Sequence, residues 1–175
     1  TFLLDSEARL GYAAAGIAFD PPTVRKRRLA ERVEIIRQLL DGATVSFVGE
    51  HHRLADARVD RSSQARLPIL VGGNGAALLA HASRHADIIG LQGLGRTKED
   101  GHSHAVKWGA AHLDEQLDHV RAAAGDRFDQ IELNALVQVV EITDDADASI
   151  AAWCERIEGL TPADAAEIPY MLAGS

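Results

Sequence analysis

Pro68-Ile69-Leu70-Val71, Gly72-Gly73-Asn74-Gly75, the run from Ala76 to His85, and Asp87-Ile88-Ile89-Gly90-Leu91 follow one another without interruption, and this stretch decides the fold. Each apolar run is too short for a helix and has the length of a buried strand. Between them, Leu78, Leu79 and Ala82 recur at helical spacing and give the intervening segment one apolar face. Strand, glycine turn, helix and strand in close succession make a βαβ unit, whose strands lie parallel with a right-handed crossover.

Working outward, the same rhythm continues. Asp20-Pro21-Pro22-Thr23 predicts a helix start, with Asp or Thr as cap and proline in the first turn. Leu29, Val33, Ile36 and Leu40 then form its apolar face, and Gly42 stops it. Thr44 to Val48 and His51 to Leu54 flank Gly49-Glu50 and predict a small hairpin, an insertion over about residues 44–55. Downstream, Gln92 to Lys107 is a polar, glycine-rich connection leaving the carboxyl end of a strand, which suits either a substrate lid or a surface loop. Leu113, Leu117, Val120 and Ala124 predict a helix ending at Gly125, and Ile131 to Ile142 a long strand. Thr143-Asp144-Asp145 caps a helix carrying Ile150, Trp153 and Ile157, and Thr161-Pro162 opens one further turn or helix.

The class is therefore α/β. No linker-like composition divides residues 1–175, so the expectation is a single domain. About three good parallel strands are legible, whereas a closed (βα)8 barrel needs eight strands and about 250 residues. The reading is a partial, incomplete TIM barrel.

Composition narrows the function classes. With 46% hydrophobic and 25% charged residues, the 175-residue chain can bury a core. Its apolar runs are strand-sized, so a membrane span is not expected. Cys154 is the only cysteine, which excludes an intrachain disulfide and makes cytoplasm the default compartment. A net charge of −8 disfavours a nucleic-acid partner. The basic run Arg25-Lys26-Arg27-Arg28 reads as a solvated helix face paired locally with Glu31 and Glu34.

The best chemical signal is the turn Gly72-Gly73-Asn74-Gly75 between strand and helix. Glycines let a ligand approach the backbone, and a helix start presents amides and a positive dipole end to an anion such as phosphate. The spacing is not the dinucleotide fingerprint, since Leu78 stands where the third glycine belongs. By itself the turn fits a phosphate cradle or a plain tight turn. His81 and His85, one helical turn apart, and His102 and His104 do not make a metal motif, because three or four convergent ligands are needed. Cys154, beside Trp153 on an apolar helix side, reads as a small hydrophobe and not a nucleophile. Glu141, at a strand's carboxyl end, fits a pocket wall or a solvated position. No residue earns a catalytic acid or base role.

Several ordered segments resemble the luciferase-like monooxygenase superfamily, in particular its branch of probable oxidoreductases that use the deazaflavin coenzyme F-420. They are residues 14–22, Arg28-Leu29-Ala30-Glu31, Val45 to His52, Leu67 to Gly75, Ala86 to Leu91, Ala123 to Phe128, Ile131 to Asn134 and Thr143-Asp144-Asp145. The resemblance implies a (βα)8 barrel with the cofactor at the carboxyl ends of the strands, passing hydride or electrons to a small organic substrate. It implies that Gly72, Gly73, Asn74 and Gly75 lie at the cofactor phosphate, with coenzyme F-420 as the cofactor and FMN as the alternative. The expected partners are the substrate and either a second copy or a missing barrel half; the alternative to an enzyme is a truncated, non-catalytic remnant.

Overall fold

Aliphatic strands need helices over them, and in the computed structural model runs of one to three short strands are separated by helices. The structure describes residues 11–60, 62–97 and 104–175. In chain order the elements are α1 (Pro22–Leu40), β1 (Val45–Val48), β2 (Arg53–Ala57), β3 (Leu70–Gly72), α2 (Ala76–His85), β4 (Ile88–Leu91), β5 (Leu94–Thr97), β6 (His104–Val106), α3 (Ala110–Ala124), a 3-10 turn (Gly125–Gln130), β7 (Glu132–Ala135), β8 (Val139–Ile142), α4 (Ala146–Cys154), α5 (Pro162–Glu167) and β9 (Met171–Gly174). The chain divides into two compact units, one of residues 20–90 and 118–134, the other of the segment up to Phe19 with 91–117 and 135–175.

The first unit is built on the parallel sheet β3-β4-β7. Leu70, Val71 and Gly72 pair with Ile88, Ile89 and Gly90, and the Glu132 amide extends the pairing by donating to the Asp87 carbonyl at 2.9 Å. Leu79, Ala82, Ala86 and Ile89 are essentially inaccessible, as are Val45 and Val120. This is where α2 seals the sheet. The expected βαβ unit is thus present, its strands beginning one or two residues later than the apolar runs suggest. Pro21 is the residue at the N-cap of α1 and no side chain caps it. The Asp20 carboxylate, expected as a cap, is instead ion-paired with Arg28 at 2.5 Å. β1 and β2 form the expected antiparallel hairpin, but β2 runs from Arg53 to Ala57, and His51-His52 belong to the turn.

The second unit holds the parallel pair β8-β9, in which Val139, Val140, Glu141 and Ile142 face Met171, Leu172, Ala173 and Gly174. Trp108, Val139, Leu160, Ala165, Ile168, Tyr170 and Met171 make its core. Asp145 caps α4 through the Ala148 amide at 3.0 Å, and Thr161 with Asp164 forms a reciprocal capping box on α5. These are the caps that the sequence predicts. Two expectations are corrected. The connection Gln92–Lys107 is not an open loop in its described part: β5 and β6 pair antiparallel. The long strand 131–142 is broken at 136–138 because its partner changes: the Leu136 amide still donates to Leu91, while the Gln138 and Val139 amides donate to Tyr170. The last residues make the strand β9, paired in parallel with β8.

Candidate functional site

The turn Gly72-Gly73-Asn74-Gly75 leaves the carboxyl end of β3 and opens α2. Its four residues are half-buried to exposed, so the turn is open to solvent at the strand tips. Its glycines divide the work. The Gly73 amide donates to the Gly90 carbonyl at 3.1 Å, and a side chain on Gly73 would collide with Leu78. Gly73 therefore serves close strand-to-helix packing. Gly75 is the N-cap of α2, and its carbonyl accepts from the Leu78 and Leu79 amides at 2.9 and 3.0 Å.

No side chain caps α2 and its first turn holds no acidic residue, although a helix start attracts negative charge and leaves its first amides without intrahelical acceptors. A cation stands there instead: the Lys26 ammonium of α1 lies 3.8 Å from where a Gly75 side chain would begin. A lysine beside the positive pole of a helix is electrostatically unfavourable unless an anion joins the two. Lys26 comes from the basic run that its sequence context marks as a solvated face. Within that run Arg27 pairs with Glu50 at 3.4 Å, and Arg28 with Asp20. Glu31 serves the hairpin, accepting from the Glu50 amide at 2.7 Å and from the His51 amide and His52 Nδ1 at 3.0 Å each. Only the joint appearance of a glycine turn and a lysine on the preceding helix could have signalled Lys26 from sequence.

The other candidates lie elsewhere. In the second unit Glu141 lines a cavity of about 320 Å³ with Val139, Ser149, Trp153 and Arg156, and accepts from the Trp153 indole at 2.8 Å. The neighbouring Ser149 hydroxyl, and then the Trp153 indole, hold its carboxyl below the usual range. Burial pushes the Cys154 thiol up, as does Asp164, in keeping with its reading as a packing residue. His81 and His85 on α2 have ring centroids 4.9 Å apart, with their planes tilted by 38°. His102 lies outside the described residues, and His104 opens β6. Among the described residues no three His, Cys, Asp or Glu side chains converge as a metal site, and no helix is long and apolar enough to cross a membrane.

A profile of the luciferase-like monooxygenase family matches residues 7–166. The chain belongs to that family. Among curated members it is 35% identical over 78 residues to an F420-dependent glucose-6-phosphate dehydrogenase of Kineococcus radiotolerans, covering 45% of this chain and 23% of that protein. It is 33% identical over 115 residues to the enzyme of the same name from Mycobacterium avium, covering 63% and 34%. The pyrimidine monooxygenase RutA of Acinetobacter baylyi is 27% identical over 135 residues, covering 77% and 33%. The chain thus spans between 23% and 34% of the length of these relatives. Among solved structures, an F420-dependent secondary alcohol dehydrogenase superposes with a TM-score of 0.56 at 16% identity, covering 90% of this chain and 51% of that one. The coenzyme F420-dependent tetrahydromethanopterin reductase of Methanopyrus kandleri gives 0.51 at 21%, covering 72% and 33%. These likenesses show the fold: α/β, with parallel strands that form part of a (βα)8 barrel and do not close one by themselves.

Proposed function

We propose that this chain supplies the cofactor-phosphate side of an oxidoreductase that uses coenzyme F420 and acts on a small organic substrate. The observation that carries the proposal is the pairing of Lys26 with the uncapped start of α2 at the Gly72–Gly75 turn. An anionic phosphate seated there would accept from the first amides of α2 and neutralise Lys26. The relatives support the cofactor, since two curated ones and two solved ones carry F420 in their names. When bound, a deazaflavin supplies hydride transfer; the protein orients it and holds its charged tail. In this reading Gly73 fixes the turn against Leu78, Gly75 leaves the approach open, and Lys26 provides charge.

The test separates binding from folding. Titration of the chain with F420, followed by fluorescence, is expected to saturate, and a parallel titration with FMN ranks the alternative cofactor. Gly75 has an extended backbone, φ −91° and ψ 135°, which any residue adopts, and Asp is a favoured N-cap. Gly75→Asp should therefore leave the fold unweakened while weakening cofactor binding about tenfold or more, because it puts a carboxylate where the phosphate belongs. Lys26→Ala should weaken binding without loss of stability. Absence of saturable binding of either cofactor sinks the proposal and favours a non-catalytic remnant.

A further inference from the structure

We propose that His81 and His85 form a proton-sensitive latch on the seam between α1 and α2, closed when both rings are neutral and loosened when they are protonated. The two helices meet along matched positions. Lys26 and Ala30, one turn apart on α1, face Gly75 and His81 on α2. His81 Nε2 lies 2.9 Å from the Ala30 carbonyl; a carbonyl only accepts, so Nε2 carries the proton and the ring ties the helices together. The His85 ring packs against that of His81, one helical turn on, with centroids 4.9 Å apart and planes tilted by 38°.

The charges around the pair are unbalanced. Arg84 lies between the two histidines on α2 and Arg127 reaches in from the 3-10 turn, so each adds positive charge. Among the described residues, Glu34 of α1 is the one opposing charge acting on both rings. Two imidazolium rings at this separation would repel each other in a half-buried seam. Burial first, and with it neighbouring positive charge, holds both histidines below the ordinary imidazole value of 6.5, against the Ala30 carbonyl at His81 and Glu34 at both, which favour the charged ring. The sign follows: the unfolded chain takes up protons first as pH falls, so stability is complete above 6.5 and is lost on going below it. The carboxylates that also lose stability in acid, Glu31, Glu141 and Asp87, do so below their ordinary values of 4.5, 4.5 and 3.8, outside this window. The functional consequence, that acid displaces Lys26 from the turn and weakens anion binding, rests on the proposed cofactor site; the latch itself does not.

Urea midpoints of the whole chain at about pH 7.5 and about pH 5.5 test the latch. The wild-type midpoint is expected to fall in acid, and that of the double variant His81→Gln with His85→Gln, which keeps a donor for Ala30, to stay level. A level wild-type midpoint, or the same fall in the variant, overturns the latch. Proton NMR of the wild-type histidines gives a second reading that needs no folded double variant: both rings should titrate below 6.5, and the His81 midpoint should rise in His85→Gln. Titration of both at or above 6.5 also overturns it. F420 binding measured at the two pH values separates the two claims: a latch with no binding at about pH 7.5 defeats the cofactor site alone.

Discussion

Arg37 is always charged, yet only 8% of its side chain is exposed. Its fork is fully engaged: Nε and Nη2 donate to Asp41, while Nη1 donates to the Leu67 carbonyl and to Asp87, each at 3.0 Å. Arg66 holds the other oxygen of Asp87 at 2.8 Å, and that carboxylate also accepts from the Ile69 amide at 2.8 Å. Burial alone would raise the Asp87 pKa, but the Ile69 amide, Arg66 and Arg37 outweigh it and hold it low. The cluster sits at the start of β3 and β4 and fixes how they enter the sheet. Removing one member of such a group strands the others, so Arg37→Ala should cost about 3 kcal/mol or more in urea unfolding. Arg37→Lys should recover little, because an ammonium cannot reproduce the fork. A loss below about 1 kcal/mol would show the charges to be solvated. None of this was legible in the sequence, since the bonded partners lie 4, 30 and 50 positions from Arg37. Lys26 escaped for the same reason, whereas Gly72 to Gly75 stood out because a turn is a local event.

At the scale of elements, the turn of the hairpin β1-β2 is attached to α1 through the Glu31 carboxylate, with the Arg27–Glu50 pair and the Arg32 bond to His52 beside it. Glu31 gathers two amides and an imidazole at the turn, and a side chain on Gly49 would run into it and into Phe47. Burial pushes the Glu31 carboxyl up, but the His52 bond and the His51 and Glu50 amides prevail and lower it. Its contribution is present above the ordinary value of 4.5 and is lost as pH falls toward the lowered one. Glu31→Ala should speed hydrogen exchange at the Glu50 and His51 amides about tenfold or more while leaving amides of β4 unchanged, with Glu31→Gln between the two. Equal acceleration in β4 would mean that the hairpin unfolds only with the rest. Elements defined by local chemistry could be read in advance: α2 from its spacing, α4 from Asp145, α5 from Thr161 and Pro162. β5, β6 and β9 could not, because short strands exist through partners that the local sequence does not contain. The break at 136–138 marks a change of partner, which hydrophobicity alone does not register.

For the whole molecule, the parallel sheets leave aliphatic side chains uncovered. Parallel sheets are buried on both faces, yet Val140 and Ile142 of β8 are 69% and 88% exposed, and Leu172, opposite Val140, is 53% exposed. Val139 and Met171, on the other face, are buried beneath the core of their unit. In a complete barrel such a face is filled by side chains from the other strands, and this chain spans about a third of the length of these relatives. The expected behaviour of this chain alone is binding of an apolar fluorescent dye. Val140→Thr with Ile142→Thr keeps β-branched residues in the strand and replaces an outward methyl and an outward ethyl group by hydroxyls. The pair should lower dye fluorescence clearly while shifting unfolding by no more than about 0.5 kcal/mol, as exposed positions do. If the same pair destabilised the chain by about 2 kcal/mol or more, these side chains would be buried in solution, and a second copy would be the cover to look for.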